Sequence, residues 1–522
     1  MFKKTSHIMA SVITIGCALS FLAGCGNANG SSGTSSDSTN SSTSSVAPRQ
    51  GGNLTIGLDR EVQTLDIASS ITTQQPLLIL STAVYEPLMK AGKDGSVEPD
   101  MAKSLTSDAT ATQWKLTLRD GLKFSDGTPL TSKEVVAHIK RLGDPATKSS
   151  AMAQVAQIKQ MDTPDAATVT FALARPNADF AAQFTRALGM IESTTAKDPF
   201  GFPLGAGPYQ VSDFTPGSSV KLTKNANYWG DKPYLDTVTY KMIPDADSRF
   251  QSLKSGDIDL MWSESASQFQ EAAKDSSLKV MKAPASMSMV LLNLKDAQLA
   301  DASVRKALAQ AIDRKALNAV VNLGEGKPID NPYALLGGVA PKDANYPQYD
   351  LNAAKSVLES KHIKLTLNCE NRPDTVQRAT ALKDMLGKAG VDITVTPVES
   401  ANYTSQLMSG EFQMADFVTS VLSDPSGAQY LFTSKGPYNF TGYANTTVDS
   451  AIAAASATTD ESKRAAAFAT ASKALGKDVP VLWTTATNAG FIMSNKIAAF
   501  PDISHNTLIE AQAGKIALGE GH

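Results

Sequence analysis

The chain has 522 residues, 42% of them hydrophobic and 7% aromatic, and its 48 basic against 51 acidic residues leave a net charge of -3. That balance lacks the concentrated positive charge of a nucleic-acid binder. The length exceeds what one hydrophobic core supports, so two or more lobes are expected.

A basic tip, Lys3 and Lys4, opens the chain and is followed by an apolar run from Ile8 to Ala23 that Ser11, Gly16 and Ser20 interrupt. A membrane span needs about 20 mainly apolar residues, and this shorter, broken run has the layout of a secretory signal. The step Leu22-Ala23-Gly24-Cys25 resembles a bacterial lipobox, so residues 1–25 are expected to form a lipoprotein signal peptide with Cys25 as the lipid attachment point. From 26 to 50 the chain is rich in Ser, Gly and Thr and reads as a disordered linker. A coil of about 25 residues reaches roughly 25 to 30 Å, enough to keep a globular body captive yet free to move above a membrane. Of the three cysteines, Cys17 leaves with the signal, Cys25 is lipidated and Cys369 stays alone. No disulfide framework is possible in the mature body.

Leu54, Ile56 and Leu58 alternate with polar residues and predict a first strand. The segment "WKLTLRDGLKFSDGTPLTSKEVV" from Trp114 predicts a hairpin: Trp114, Leu116 and Leu118 in period two, a turn at Asp120-Gly121, then Leu122 and Phe124. Thr131 stands three residues before Glu134, a capping box that starts a helix carrying Val135, Val136 and Ile139. Gly205, Gly207 and Pro208 suit a tight chain reversal, and Tyr228 with Trp229 suit packing beside the turn at Gly230 and Pro233. In "SGDIDL" Gly256 precedes a short strand on which Ile258 and Leu260 alternate with Asp257 and Asp259. From about Ser303 to Val321, apolar residues recur at helical spacing behind a capping Asp301, which predicts one long helix. Residues 363 to 369 read as a strand whose Ile363, Leu365, Leu367 and Cys369 share a face, Cys369 being a small core residue. A helical pattern with Val376, Ala379, Leu382 and Leu386 follows, closed by Gly390, and then a strand through Val391, Ile393 and Val395. Strand, helix and strand at this spacing form a crossover with parallel strands, so the fold class is α/β.

No constellation for catalysis emerges. The chain contains no G-x-S-x-G elbow, no H-E-x-x-H pair and no C-x-x-C motif. His138, His362, His505 and His522 are far apart and lack metal-ligand spacing. "LGEGKP", ending in Gly326, Lys327 and Pro328, lacks the upstream glycine and the following Ser or Thr of a phosphate loop. The chain reads as a binder and not an enzyme, with no cofactor and no metal.

Taken in order, several segments resemble the family 5 substrate-binding proteins of ABC transporters, a group that includes dipeptide, oligopeptide and nickel binders. They are "VYEPLMK" from Val84, the stretch from Trp114, "PLGAGPYQV" from Pro203, "NANYWGDKPYLDTV" from Asn225 and "IPDADSRFQSLKSGDIDL" from Ile243. "LLNLKDAQLADASVRKALAQAIDRKAL" from Leu291, "YDLNAAKSVL" from Tyr349 and "NFTGYANTTVDSAI" from Asn439 continue the set. The resemblance implies a two-lobed periplasmic-binding-protein-like fold with an inserted subdomain in the first lobe and a ligand cleft between the lobes. Lobe I would comprise 51–85, 205–282 and 480–522, the insertion 86–204, and lobe II 283–479. It further implies an extracytoplasmic, lipid-anchored monomer that closes about a hinge on a peptide or peptide-like solute and delivers it to a permease with its ATPases. A nickel or other metal chelate, or a non-transport surface protein or enzyme on the same scaffold, is the alternative.

In the family's peptide binders a tryptophan and an aspartate shortly precede an Asp-Pro step, and that aspartate holds the peptide's amino terminus. Here Asp424-Pro425 is present, but Val418 to Ser423 contain neither residue, and the nearest upstream acid is Asp416. The candidates for ligand contact are therefore Asp416 and Asp424, with Glu61, Trp262, Glu264 and Arg372, which stand near strand ends where a crevice can form.

Overall fold

The computed structural model describes residues 47–69, 77–92, 96–198, 201–336, 341, 343–420, 427–503 and 512–520. Cys25, the signal, nearly all of the linker and Asp424 lie outside the described residues.

One sheet of eleven strands organises the body. At one end, strand Asn53–Leu58 pairs in parallel with Thr237–Met242 and Leu260–Ser263. At the other, Lys364–Glu370 pairs in parallel with Asp392–Val398 and Met414–Thr419. Two long antiparallel strands, Leu278–Leu292 and Val481–Ser494, run from one end to the other, and their register slips between Pro284 and Ser286 and between Met287 and Met289. The cores divide at the same place. Met287 and Ala486 belong to one buried cluster, whereas Ala489 and Phe491 belong to another with Leu54, Ile56 and Tyr240. The fold is thus α/β with two lobes joined by crossing strands.

The "LGEGKP" segment braces this junction. Leu323 accepts at its carbonyl from the Gln270 side chain at 3.0 Å, Glu325 pairs with Lys282 on one crossing strand, and the Glu325 carbonyl accepts from Asn488 on the other. Gly326 is required there: a Cβ would sit 2.2 Å from the Ala486 carbonyl oxygen.

A separate antiparallel sheet of four strands, ordered Ala102–Ser107, Gln113–Leu118, Thr168–Leu173 and Ile158–Asp162, has its own core. Phe180 packs at 5.1–5.5 Å between ring centroids against Trp114, Phe171 and Phe184. The capping box is present: Thr131 and Glu134 reciprocally cap helix Ser132–Leu142.

Four sequence expectations change. The strand after Gly256 is Leu260–Ser263, so Asp257, Ile258 and Asp259 precede it and do not alternate along it. Gln113–Leu118 pairs with Ala102–Ser107 and Thr168–Leu173 instead of forming a hairpin with 122–124, which forms only an isolated bridge from Lys123 to Pro129. Leu122 and Phe124 are 3% and 1% exposed, so their alternation reflects burial of a loop and not a strand. The long helix over 303–321 is two helices, Ala302–Gln310 and Arg314–Val321, because the Asp313 carboxylate accepts from the Lys315 and Ala316 N–H groups and caps a new start. Finally, Gly205 and Gly207 serve close backbone approach to the helix Leu78–Tyr85, a Cβ on Gly205 falling 2.1 Å from the Val84 oxygen. The crossover at 363–398 forms as expected, with Lys364–Glu370, helix Pro373–Gly387 and parallel Asp392–Val398. Cys369 is fully buried within its core.

Candidate functional site

In an open α/β sheet, a crevice for ligand forms beyond the carboxyl ends of parallel strands. In the first lobe, Gly57 lies opposite Met261, so the chain leaves both strands side by side at one edge. Beyond the first strand, the two oxygens of Asp59 accept from Nε and Nη2 of Arg60 at 2.9 Å each. Beyond the second stands Glu264, exposed to solvent. Its carboxyl is nevertheless held above its ordinary pKa, first by desolvation and then by the Asp59 charge, while Trp262, Arg60 and Arg372 act in the opposite sense. A group that touches water and is still desolvated stands on the wall of a cleft, where flanking protein displaces the bulk dielectric. Trp262 forms the floor behind it, 2% exposed and edge-on to Phe491 at 5.1 Å. Its indole N–H is buried and makes no hydrogen bond of good geometry, although it lies near enough to Glu264 to favour the ionised carboxyl.

The second lobe presents the ends of Lys364–Glu370 and Asp392–Val398. Pro373 takes the first helical position, where its fixed φ suits the helix and its missing N–H is not needed. Arg372 is thereby set at the lip as the cap residue. Its guanidinium lies 3.2 Å from both oxygens of Asp374 and 3.7 Å from Glu370, and the side chain is 57% exposed. Such exposed pairs contribute little stability, so this charge can be lent to a ligand. Around it, Ser400 donates to Glu370, and Asn371 donates to Glu399 at 2.7 Å.

Of the six residues expected from sequence, Glu264 and Arg372 stand just beyond strand ends of different lobes, and Trp262 is buried two residues before Glu264. Glu61 is exposed and accepts from Gln63 at 3.1 Å. Asp416 is internal: it is 2% exposed, and its two oxygens accept from Arg378 Nε and Nη2 at 2.7 and 2.6 Å. Its backbone carbonyl accepts from the Tyr403 hydroxyl. Asp59 and Arg60 were missed by sequence reasoning. The signal available was position, since they directly follow the last apolar residue of the first strand. Among the described residues, no three His, Cys, Asp or Glu side chains are placed to hold a metal ion, and no helix is long and apolar enough to cross a membrane.

The family described as bacterial extracellular solute-binding proteins, family 5 (middle region), matches residues 96–440. The probable D,D-dipeptide-binding periplasmic protein DdpA of Escherichia coli is 28% identical over 481 residues, 86% of this chain and 91% of that protein. The oligopeptide-binding protein AppA of Bacillus subtilis is 26% identical over 438 residues, 78% of each. A structure of the periplasmic murein tripeptide-binding protein MppA, in its unliganded open form, superposes with a TM-score of 0.80 at 22% identity, covering 91% of this chain and 99% of that one. With a family match across two-thirds of its length and crossing strands that join two α/β lobes, the chain belongs to the family 5 bacterial extracellular solute-binding proteins.

Proposed function

We propose that this protein captures a peptide outside the cytoplasm by hinge closure and delivers it to an ABC transporter permease. The observation that carries the reading is that Glu264 and Arg372, opposite charges, stand just beyond strand ends of different lobes, where a crevice forms, and that the Arg372 charge favours the ionised Glu264 carboxyl. A peptide offers the complement, an ammonium for the Glu264 side and a carboxylate for Arg372, and a guanidinium suits bidentate grip of a carboxylate. The relatives named for dipeptide, oligopeptide and tripeptide binding support a peptide as the solute. The division of buried clusters near Met287 and Ala486 supports lobe I as 51–85, 205–282 and 480–522, lobe II as 283–479, and an insertion at 86–204. Asp416, with its carboxylate engaged by Arg378, serves as a brace behind the second wall, and the solute leaves unchanged.

Calorimetry with di- to penta-peptides and their amino-blocked versions tests the reading. Binding to the free peptides, lost on blocking and weakened about tenfold or more in Arg372→Met, is the expected result; no binding to either set would overturn it. Glu264 also gives a pH signature. Its pKa is raised and its ionised form is the one that attracts an ammonium, so affinity should be full at neutral pH and fall as pH drops through a range above the ordinary carboxylate value. Glu264→Gln should flatten that profile.

The anchor is tested separately. Cys25→Ala should release the protein into the medium or soluble fraction while the purified body keeps its affinity. Unchanged membrane association in a strain competent for lipoprotein processing would sink the anchor without touching the transport reading.

A further inference from the structure

The second lobe touches the antiparallel subdomain directly, away from the crossing strands. Arg464, near the start of helix Glu461–Asp478, binds Asp179 through Nη2 and donates to the Ala455 carbonyl through Nη1 at 2.7 Å. Next to it, the Ala178 N–H donates to the Ser456 carbonyl at 2.9 Å. Asp179 adjoins Phe180 of the subdomain core, while Arg464 lies 5.3 Å from the ring of Phe468 in the second lobe's core. The Asp179 and Arg464 side chains are only 12% and 9% exposed.

We propose that this contact is a latch that holds the lobes in the open arrangement and so sets solute affinity from outside the cleft; the inference rests on the hinge reading above. Rotation about the crossing strands moves the second lobe against the subdomain by an amount that grows with distance from those strands. A desolvated ion pair shared between the two bodies does not survive such a movement, because its strength depends on close geometry in a low dielectric. In the arrangement that makes the pair, Arg372 on the second wall is 57% exposed, and its ion pairs, with Glu370 and Asp374, lie within its own lobe. Closure therefore has to disengage Asp179 from Arg464. A protein that must leave a favoured state to bind shows its intrinsic affinity reduced by the fraction that is competent, so loosening the latch raises apparent affinity.

The test uses the full chain carrying Cys17→Ala and Cys25→Ala, with spin labels at Lys274→Cys in the first lobe and Met408→Cys in the second. Both positions are exposed, whereas the native Cys369 is buried and should not label. Pulsed dipolar spectroscopy without added peptide should show a second distance population in Asp179→Asn and in Arg464→Met, at least tenfold more populated than in the parent. For any peptide that the parent binds, calorimetry should show at least fivefold tighter binding in both variants. Circular dichroism confirms the fold first, and Asp179→Asn keeps the test decisive if Arg464→Met fails to fold. Distance distributions that superimpose on the parent's would overturn the latch. A parent whose distribution ignores a saturating, calorimetrically verified peptide would instead overturn the hinge reading, so the two failures are distinct.

Discussion

Replacing Arg378 with alanine is expected to destabilise the protein by about 3–5 kcal/mol, the cost of leaving a buried carboxylate without its partner. Arg378 and Asp416 are 4% and 1% exposed at their side chains, and their two hydrogen bonds are 2.7 and 2.6 Å long. The pair ties helix Pro373–Gly387, which carries Arg372 at its cap, to strand Met414–Thr419. Removing both charges together, as in Arg378→Met with Asp416→Leu, should recover most of the loss, because no ion is then stranded in the interior. Urea midpoints of the three proteins measure this. A loss below about 1 kcal/mol in Arg378→Ala would place the pair among exposed ion pairs, which contribute no more than that. The double variant also separates bracing from ligand contact. A brace predicts that it binds peptide with near-parental affinity when folded, whereas an Asp416 that grips an ammonium predicts loss of binding.

The case of Asp416 shows where the sequence becomes illegible. An acid in a strand covered on both faces can point to a buried partner or to a cleft, and the partner, Arg378, is 38 residues away. What depends on local order was readable. The Thr131 capping box, the Asp301 cap and the 363–398 crossover follow from interactions within a few turns, and all three form. The hairpin at 114–124 failed because strand Gln113–Leu118 finds its partners on either side in a sheet, and period two does not name the neighbour. The candidate site failed in part for the same reason. Glu264 was legible as a strand-end acid, but its coupling to Asp59, over 200 positions earlier, exists only because two strands run parallel.

The same limit hid the joint between the first lobe and the subdomain, where "VYEPLMK" and "NANYWGDKP" meet. Glu86 is 4% exposed, and its two oxygens accept from the Tyr228 hydroxyl and the Trp229 indole at 2.7 Å each. Its backbone sits at φ 42°, an uncommon conformation for a residue with a side chain, held here by these bonds. Asp100 lies close by, 5% exposed, with Lys90 at 3.4 Å and Gln512 at 3.0 Å. The packing reading of Tyr228 and Trp229 therefore gains a polar purpose. They solvate a carboxyl that water cannot reach, and Arg119 stacks over the indole at 5.1 Å.

Glu86→Gln should be more stable relative to the parent the higher the pH. Desolvation first, and the Asp100 charge second, push the Glu86 pKa up to about 8 from its ordinary 4.5, against the two donated hydrogen bonds. Between those values the unfolded chain has released this proton and the folded chain still holds it, so stability contributed by Glu86 is full below 4.5 and is lost as pH rises toward 8. The slope through that window is at most about 1.4 kcal/mol per pH unit. Glutamine keeps the shape and the donor and acceptor of the neutral acid: its amide can donate to Tyr228 as the carboxyl O–H would, and its carbonyl can accept from Trp229. The raised pKa of Glu192, pushed up to about 7 chiefly by burial, imposes the same trend on both proteins and largely cancels in the difference, whereas Asp100 feels residue 86 directly, so losing that charge eases its ionisation and adds to the same difference. Glu86→Ala, by contrast, leaves both the Tyr228 hydroxyl and the Trp229 indole N–H without their partner and should lose about 1–3 kcal/mol for each at every pH. Urea midpoints at pH 5, 6.5 and 8 decide the matter, and a difference between parent and Glu86→Gln that stays constant across the three would show that this carboxyl is ionised throughout.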